Sequence, residues 1–275
     1  MEKKSVIIPF YSNKEWLDQA LCTVVNQTMP VDEIIVVNDG SPEDIDDIKK
    51  KYESKVVFLY QENKGAGFAR NLGIKKSSGD ILFFLDSDDL WDKRKVEKQL
   101  TFMKKNNYKW CATSYKTFGV GKSKVVTPYI TKKLCWQHLY NSSLIATPTV
   151  AIYKKYIDKY GAFAPDMKKG QDIFLWFKLS NHLPLGVLCE PLTFVRMRNG
   201  STMNSLPAHI QMRAKLWEKM HITKELYMPK HILTKLGYMI CYKIFDLKGN
   251  YCLFDIIAFA FAWGLFRIDN LLFTG

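Results

Sequence analysis

The first hundred residues alternate short apolar runs with segments of helical spacing, and this alternation restricts the possible folds more than any other feature. Four runs, at 5–10, 33–38, 56–60 and 81–85, are almost wholly apolar and have the length of strands. Strands that are apolar on both faces are typical of a parallel sheet covered by helices on both sides. The order of strands and helices therefore predicts a doubly wound α/β domain, in which ligands bind beyond the carboxyl ends of the strands.

The segments between these runs carry helix signals. Ser12 and Glu15 form a capping-box pair, which predicts the start of the first helix. Ser41, followed by Pro42, predicts the start of a second helix, because Pro is favoured at the first helical position. Asp92 similarly predicts a helix that runs to about residue 105. The other predicted elements are a helix at 66–76, strands at 149–153 and 186–195, a helix at 172–179, and helical structure from about residue 207.

The charge of the chain is unevenly distributed. Residues 1–100 contain 15 Lys and Arg against 18 Asp and Glu, whereas residues 101–275 contain 25 against 9, and the total net charge is +13. A basic half indicates an anionic partner, which is a nucleic acid, a phosphorylated substrate or an anionic membrane surface. Within that half, the aromatic segment 251–266 is either a packed helix or an element that lies on a membrane surface.

The six cysteines have no metal-binding or redox spacing in the sequence. None forms a Cys-x-x-Cys pair, and none lies near a histidine at zinc-ligand spacing. We expect reduced thiols in or near the core of a cytosolic protein. The sequence has no apolar stretch of the roughly 18 residues that a membrane-spanning helix needs. The expected location is the cytoplasm, with peripheral binding to the inner face of the cytoplasmic membrane as an extension of it.

Three acidic residues follow the fourth apolar run, since Asp86, Asp88 and Asp89 lie within four positions. Such carboxylates repel one another unless a positive group lies beside them, and carboxylate oxygens are suitable ligands for Mg²⁺ or Mn²⁺. The alternative is an acidic turn between a strand and a helix, in which Asp89 or Asp92 is the N-cap. From these residues alone, both interpretations remain open.

Residues 63–71, with the sequence NKGAGFARN, follow the third run and open a predicted helix. Backbone N–H groups at such a helix start can bind an anion, and Arg70 adds a fixed cation for a diphosphate. The alternative is a glycine turn with a surface arginine.

Two further aspartates each allow a structural and a functional interpretation. Asp39, at the end of the second run, either accepts a hydrogen bond from a nucleobase or bonds its own backbone in a turn. Asp172 is either the N-cap of its helix or a general base at the rim of that helix.

Together these motifs resemble the family 2 glycosyltransferases, which have the GT-A fold. The resemblance covers about residues 3–205, and the motifs occur in the order and spacing of the family. They are SVIIPFY (5–11), Gln27 and Thr28 before Pro30, DEIIVVNDGS (32–41), NKGAGFARN (63–71), GDILFFLDSDD (79–89) and QDIFLW (171–176). The resemblance implies a GT-A catalytic domain at 1–205, divided into a nucleotide-binding half (1–100) and an acceptor half (101–205). A helical, basic and aromatic extension is expected at 206–275.

The resemblance also implies roles for individual residues. The expected nucleotide-binding residues lie at the strand ends and in residues 63–71, which we call the glycine loop. They are Pro9, Tyr11, Asp39, Asn63, Gly65, Arg70, Asp86 and Arg198. Within this set, Asp39 is expected to contact the base, Asp86 the ribose and Arg70 the diphosphate. Asp88 is the expected ligand of the cofactor, Mn²⁺ or Mg²⁺, and Asp172 is the expected catalytic base.

Two positions depart from the family pattern. Gln171 replaces the usual Glu before the base. In VRMRNGS (195–201), Arg198 stands where many members have a His that reaches the metal or the diphosphate. Because arginine stays protonated, it cannot ligate a metal, although it can pair with a diphosphate. We therefore expect either a metal held by one protein ligand fewer or a site that relies more on Arg198.

The implied reaction is an inverting transfer of one sugar from a nucleotide-sugar, with UDP as the expected nucleotide, to an acceptor hydroxyl. The expected acceptor is a glycan, in particular a lipid-linked glycan of cell-surface polysaccharide synthesis. The Gln-x-x-Arg-Trp element of processive synthases is absent from the sequence, which favours addition of a single sugar. The alternatives are a non-catalytic nucleotide-sugar-binding scaffold of the same fold and a nucleotidyltransferase. Nucleic-acid binding is not expected, because the sequence has no recognised nucleic-acid module and the acidic strand ends would repel phosphate.

Overall fold

The computed structural model describes residues 2–128, 145–167, 169–198, 206–221 and 235–241, together with 261 and 265. Internal contacts divide the chain into two compact units. The first unit comprises Met1–Tyr129, Leu144–Pro165 and Leu183–Arg198. The second unit comprises Ile130–Ser143, Asp166–His182 and Asn199–Gly275. The domain boundary expected at residue 205 stays a prediction.

The first unit contains a nine-stranded sheet. Its strands are β1 (Lys4–Phe10), β2 (Glu33–Asp39), β3 (Val56–Gln61), β4 (Ile81–Phe84), β5 (Leu90–Trp91), β6 (Trp110–Gly119), β7 (Val125–Val126), β8 (Val150–Tyr153) and β9 (Gly186–Met197). Across the sheet the order is β3-β2-β1-β4-β8-β6-β9-β5, and β7 pairs with β6. Strands β1 to β4 are parallel, whereas β8 is antiparallel to β4 and β6. The predicted α/β fold class is confirmed, and its parallel part consists mainly of the first four strands.

Helices follow the strands along the chain. In the first unit they are α1 (Lys14–Val25), α2 (Asp46–Tyr52), α3 (Ala66–Lys76), α4 (Lys95–Lys105) and α5 (Lys154–Tyr160). In the second unit they are α6 (Gln171–Ser180) and α7 (Leu206–His221), and residues 235–241 are also helical. Helical structure beyond residue 207 is therefore confirmed for these stretches. The aromatic segment 251–266 lies outside the described residues except for 261 and 265.

The central strands are apolar throughout because successive side chains point to opposite faces of the sheet, and both faces are covered. Val36 of β2 belongs to the core cluster that contains Leu17 of α1. Its neighbour Val37 packs on the other face with Ala69 of α3. Burial on both faces thus explains the continuous apolar runs of the sequence.

Helix α3 lies very close to β1. A Cβ atom on Gly73 would lie only 2.5 Å from Cγ2 of Ile7, so glycine is needed at this crossing. The close approach fixes α3 on the sheet, and with it Arg70, which lies one turn into the helix.

Three predicted helix starts are wrong, and at the first of them, that of α1, a residue distant in sequence satisfies the first N–H groups. Helix α1 begins at Lys14, where the side chain of Asn13 accepts from the N–H of Trp16 at 3.1 Å. The Glu43 carboxylate accepts from the N–H groups of Asn13 and Lys14, at 2.6 and 2.8 Å. The expected capping box of Ser12 and Glu15 is therefore replaced by Asn13 and Glu43.

The second and fourth helices also begin later than predicted. Helix α2 begins at Asp46 rather than at Ser41, because the N–H of Ser41 is bound by the Asn38 side chain in a turn. Helix α4 begins at Lys95, since Asp92 accepts from the N–H of Arg94 and forms a turn before the helix.

In the second unit, polar contacts join α7 to the segment that contains α6. The ammonium of Lys219 lies 2.9 Å from the Asp166 carboxylate and 5.0 Å from the centroid of the Phe174 ring. Gly170, with φ of 77°, precedes α6, and a Cβ atom there would lie 2.6 Å from Cγ of Met212. These contacts define the surroundings of the helix that carries Asp172.

Four of the six cysteines lie in the described residues, and all four are free thiols. Cys111 and Cys241 are buried, and burial raises the pKa of each thiol to about 12. Cys22 and Cys189 are exposed. The expected core position therefore holds for two of these four thiols.

Candidate active site

A cavity of about 320 Å³ lies in the first unit, beyond the carboxyl ends of β1, β2 and β4. Its lining residues are Pro9, Phe10, Tyr11, Ser12, Asp39, Ala66, Arg70, Asp86, Ser87, Asp88 and Arg198. The chain runs from β1 outward to β3 and returns to the other side of β1 as β4, so the strand order reverses at this point. Ligands of open α/β sheets bind in the crevice at such a reversal. Seven predicted site residues therefore line one cavity: Pro9, Tyr11, Asp39, Arg70, Asp86, Asp88 and Arg198.

Asp39, at the end of β2, is held by three hydrogen bonds. Its carboxylate accepts from Gln61 Nε2 at 2.7 Å and from the N–H groups of Lys64 and Gly65 at 2.9 and 2.8 Å. The glycine loop therefore fixes Asp39 at the cavity wall. The N–H of Gly65, at the helix start that was expected to bind an anion, donates to the carboxylate of Asp39. Asn63 and Gly65 are outside the cavity lining.

Gly40, directly after Asp39, allows the chain to approach the glycine loop. It has φ of 69°, and a Cβ atom there would lie 2.7 Å from the backbone nitrogen of Asn63. A side chain would both strain this conformation and separate Asp39 from the loop that holds it.

Arg70 and Asp86 form a partly buried ion pair in the cavity wall. Arg70 Nη2 lies 2.5 Å from Asp86 Oδ1, and the Arg70 side chain is only 7% exposed. The guanidinium also lies 5.2 Å from the centroid of the Phe163 ring, whose backbone is bound on both sides by Asn71. Arg70 is thus a fixed cation, and its buried Nε has no hydrogen-bond partner among the described residues.

Asp88 and Arg198 form a second ion pair in the same wall. Arg198 Nη2 lies 2.9 Å from Asp88 Oδ2, and the two side chains are 49% and 17% exposed. Burial and the neighbouring charge of Asp86 raise the pKa of the Asp88 carboxyl, and they outweigh the opposing effect of Arg198. Arg198, which departs from the family pattern, therefore contacts Asp88, the expected metal ligand.

Arg196 holds the acidic loop, which we define as residues 86–89, from the side of β9. Its Nε donates to the carbonyl of Asp88 and its backbone N–H to the carboxylate of Asp89, both at 2.8 Å. The guanidinium lies between the rings of Trp16 and Phe118, 4.9 and 4.5 Å from their centroids. Sequence reasoning missed this residue, and its only signal was the spacing of two from Arg198.

Asp89 is a structural member of the acidic loop. It is buried, and burial together with the charges of Asp88 and Asp86 raises the pKa of its carboxyl well above the usual range. Its hydrogen bond to the N–H of Arg196 makes it the anchor of the loop on β9.

The geometry around Asp88 does not favour a divalent cation. One oxygen of Asp88 is already paired with Arg198, and Asp86 is paired with Arg70. A divalent ion at Asp88 would have to displace Arg198 from this carboxylate or lie beside its guanidinium, whose positive charge repels a cation. Among the described residues, no three His, Cys, Asp or Glu side chains are grouped as a metal site. The donor set does not fit a metal while Arg198 is in place, and the expected Mn²⁺ or Mg²⁺ at Asp88 stays a prediction.

Lys95, the first residue of α4, is buried behind the strand that follows the acidic loop. Its ammonium lies 4.2 Å from the centroid of Trp91 and 5.1 Å from that of Phe83, and it donates to Gln99 Oε1 at 2.6 Å. Burial lowers the pKa of Lys95 to about 7. A lysine that titrates near neutral pH therefore lies in the core beneath β5.

Asp172, the predicted base, lies in the second unit. It is half-buried in the first turn of α6, and its carboxylate accepts from the N–H of Ile173 at 2.9 Å. The neighbouring Gln171, which replaces the usual Glu, has a buried Oε1 with no hydrogen-bond partner among the described residues. The role of Asp172 stays a prediction.

Comparison with known proteins decides the family. The sequence model of glycosyl transferase family 2 matches residues 5–161, more than half of the chain. The chain belongs to glycosyl transferase family 2. The matched region contains the acidic loop, the glycine loop and Asp39.

Curated relatives of this family 2 glycosyltransferase include several bacterial glycosyltransferases. An uncharacterized glycosyltransferase of Rickettsia bellii (strain RML369-C) is 36% identical over 209 residues, which is 73% of this chain and 29% of the relative. TuaG of Bacillus subtilis (strain 168), assigned to teichuronic acid biosynthesis, is 31% identical over 183 residues, 64% of this chain and 71% of TuaG. The poly(ribitol-phosphate) β-N-acetylglucosaminyltransferase TarP of Staphylococcus aureus (strain N315) is 36% identical over 129 residues, 45% of this chain and 39% of TarP. The chain spans about a third of the length of three Rickettsia relatives.

A solved structure has the same fold. The crystal structure of S. aureus TarS 1–349 in complex with UDP-GlcNAc aligns with a TM-score of 0.68 at 19% identity, covering 98% of this chain and 83% of that one. At this identity the likeness establishes the GT-A fold alone. In the part of the chain that the structure describes, no helix has both the length and the apolar character needed to cross a bilayer.

Proposed function

We propose that this family 2 glycosyltransferase transfers one sugar from a UDP-sugar, with inversion, to a hydroxyl of a lipid-linked precursor of a cell-surface polysaccharide. The observation that carries the proposal is the cavity at the strand reversal, where Asp39, Arg70, Asp86 and Arg198 line one wall. The UDP-GlcNAc complex of TarS supports a UDP-sugar donor, and the poly(ribitol-phosphate) in the name of TarP supports a polymer as acceptor. The lipid link is taken from the family resemblance and from the basic charge of residues 101–275.

In this proposal each part of the donor meets a chemically suited group. Tyr11 is 47% exposed at the cavity and offers a ring face to the base, while the fixed Asp39 accepts from the N–H of uracil. Asp86 binds the ribose hydroxyls. Arg70 and Arg198 face the diphosphate, and guanidinium groups bind phosphate oxygens with paired N–H donors.

The chemical step is a single displacement at the anomeric carbon. The acceptor oxygen forms a bond to that carbon while the bond to the diphosphate oxygen breaks, and UDP leaves with the electron pair. Asp172, the base implied by the family resemblance, takes the proton of the acceptor hydroxyl. Arg70 stabilises the charge that develops on the departing diphosphate, and because it is held by Asp86 and Phe163 it needs little reorganisation.

We further propose that the protein acts at the inner face of the cytoplasmic membrane. The net charge of +16 over residues 101–275 supports this, because anionic headgroups attract basic surfaces. Flotation of the protein with anionic and neutral vesicles, at low and high salt, measures this binding. Failure to float with anionic vesicles at low salt would refute the membrane proposal and leave the sugar transfer intact.

The function is tested by nucleotide binding and by products. We expect UDP to bind by calorimetry in preference to GDP and dTDP, and a UDP-sugar to release UDP when the acceptor is added. Asp172→Asn should lower kcat by at least ~100-fold, as is typical for loss of a general base, and leave the Kd of UDP within about twofold. Asp158→Asn, at an exposed position of α5, is the matched control and should keep wild-type values.

Three results would contradict the proposal. Release of pyrophosphate instead of UDP would indicate nucleotidyl transfer. Nucleotide-sugar binding without turnover of any acceptor would indicate a scaffold of the same fold. Transfer at the wild-type rate by the Asp172→Asn variant would remove Asp172 from the role of base.

A further inference from the structure

We propose that Arg198, rather than a divalent cation, supplies the positive charge that binds the donor diphosphate at Asp88, so that donor binding is independent of Mn²⁺ and Mg²⁺. This inference rests on the proposed use of a nucleotide diphosphate donor. It concerns the one family position in the site at which this chain has replaced a potential metal ligand by a group that cannot ligate a metal.

The position of the guanidinium is the first support. Arg198 Nη2 lies 2.9 Å from Asp88 Oδ2, and both residues line the cavity. A metal held by Asp88 would have to approach the same carboxylate. The ion pair uses one of the five N–H donors of the guanidinium, so the group can bind a phosphate oxygen while it remains paired.

The rigidity of the neighbouring chain is the second support. Two residues before Arg198, Arg196 is bound to both Asp88 and Asp89 and is packed between two aromatic rings. Arg198 itself lies over the face of Trp16, 5.6 Å from the ring centroid. The guanidinium is therefore held at the cavity by its carboxylate partner and an aromatic face.

The charge balance of the wall is the third support. Asp86 and Asp88 each have one guanidinium partner, so these two carboxylates are neutralised by Arg70 and Arg198 without a further cation. A diphosphate entering beside these two arginines meets the N–H donors that the ion pairs leave unused, because arginine keeps its proton at every relevant pH. The two fixed groups perform the electrostatic task that a metal performs in sites with a carboxylate and a histidine.

The test is calorimetric binding of UDP to the full chain in EDTA and in Mn²⁺. For the wild type we expect Kd values that agree within about twofold between the two buffers. Arg198→His restores the ligand type of the family, so it should bind UDP at least ~10-fold more weakly than wild type in EDTA and regain affinity in Mn²⁺. Arg198→Lys keeps the charge without the planar donor group, and it should bind weakly in both buffers.

Arg94→His is the matched control. Arg94 is 51% exposed and pairs with a single carboxylate, that of Glu97, as Arg198 pairs with Asp88, but it lies outside the cavity. We expect its UDP affinity to equal that of the wild type in both buffers. The electron paramagnetic resonance signal of free Mn²⁺ provides a second measurement, and with UDP present the wild-type protein should not lower it beyond the effect of UDP alone.

The outcomes separate this inference from the proposed function. Wild-type binding that is ~10-fold tighter in Mn²⁺ than in EDTA would overturn the inference and leave the proposed function standing. Wild-type affinity of the Arg198→His variant in EDTA would also overturn it. Absence of UDP binding in both buffers would refute the donor proposal, and the inference with it.

Discussion

Replacement of Lys95 by methionine is expected to change how the stability of the protein depends on pH. Lys95 is fully buried, and burial lowers its pKa from the ordinary value of 10.5 to about 7. In the unfolded chain the ammonium stays protonated up to about pH 10.5. Between pH 7 and 10.5 the unfolded state therefore binds more protons than the folded state, and the free energy of unfolding rises with pH.

The magnitude follows from the two pKa values. A difference from 10.5 to about 7 corresponds to a cost of about 5 kcal/mol for the folded state below pH 7, at ~1.4 kcal/mol per pKa unit. Over the interval from pH 7 to 9, the wild type should gain about 2 kcal/mol of stability relative to Lys95→Met.

Urea denaturation of both proteins at pH 7, 8 and 9 measures this gain. The Lys95→Met variant also leaves Gln99 Oε1 without its donor, which costs ~1–3 kcal/mol at every pH. That loss lowers the free energy of unfolding of the variant equally at each pH. Only the difference between the two proteins in how this free energy changes with pH therefore tests the reasoning. The exposed Lys93, replaced by methionine, is the control and should keep the wild-type slope. Curves for wild type and Lys95→Met that stay parallel within about 0.5 kcal/mol would refute the reasoning.

Two further substitutions test the packing that positions the site. Arg196→Lys removes the planar group between Trp16 and Phe118, so it should destabilise the protein by ~1–2 kcal/mol, lower the Tm by a few degrees and weaken UDP binding several-fold. An unchanged Tm together with wild-type UDP affinity would show that the acidic loop does not depend on this contact. Gly73→Ala places a methyl group 2.5 Å from Cγ2 of Ile7, and calorimetric scanning should give a destabilisation of ~1–3 kcal/mol. A wild-type Tm would mean that α3 moves away from β1 without loss of stability.

In the first half of the fold, the apolar strands and the bodies of the helices could be read from local pattern, whereas the starts of α1, α2 and α4 could not. Helix α3 occupies Ala66–Lys76, as predicted, and the four parallel strands lie where the apolar runs are. Strand β6 was missed, since its buried residues include the hydroxyl residues Thr113 and Ser114. Their partners are Thr193 and Thr127, and a buried polar pair of this kind is visible only once the strands are adjacent.

The candidate site was predictable to the same extent and for the same reason. Residues at the ends of parallel strands, such as Tyr11, Asp39 and Asp86, were expected to converge because the topology brings those ends to one edge. The contacts of Arg196 and Arg198 with the acidic loop had no local signal. They join segments more than 100 residues apart, and only the register of β9 brings them together.

The dependence of the acidic loop on β9 also has a consequence for the order in which the molecule assembles. The bond from Arg196 to Asp88 spans 108 positions, so the loop lacks these arginine partners until β9 has paired with both β5 and β6. Closing so long a segment is a late and slow event in a folding chain. During synthesis, the parallel strands can therefore form while Asp88 and Asp89 still lack these contacts. The donor cavity acquires its full wall only when the ribosome has released residues 186–198, after β9 has joined the sheet.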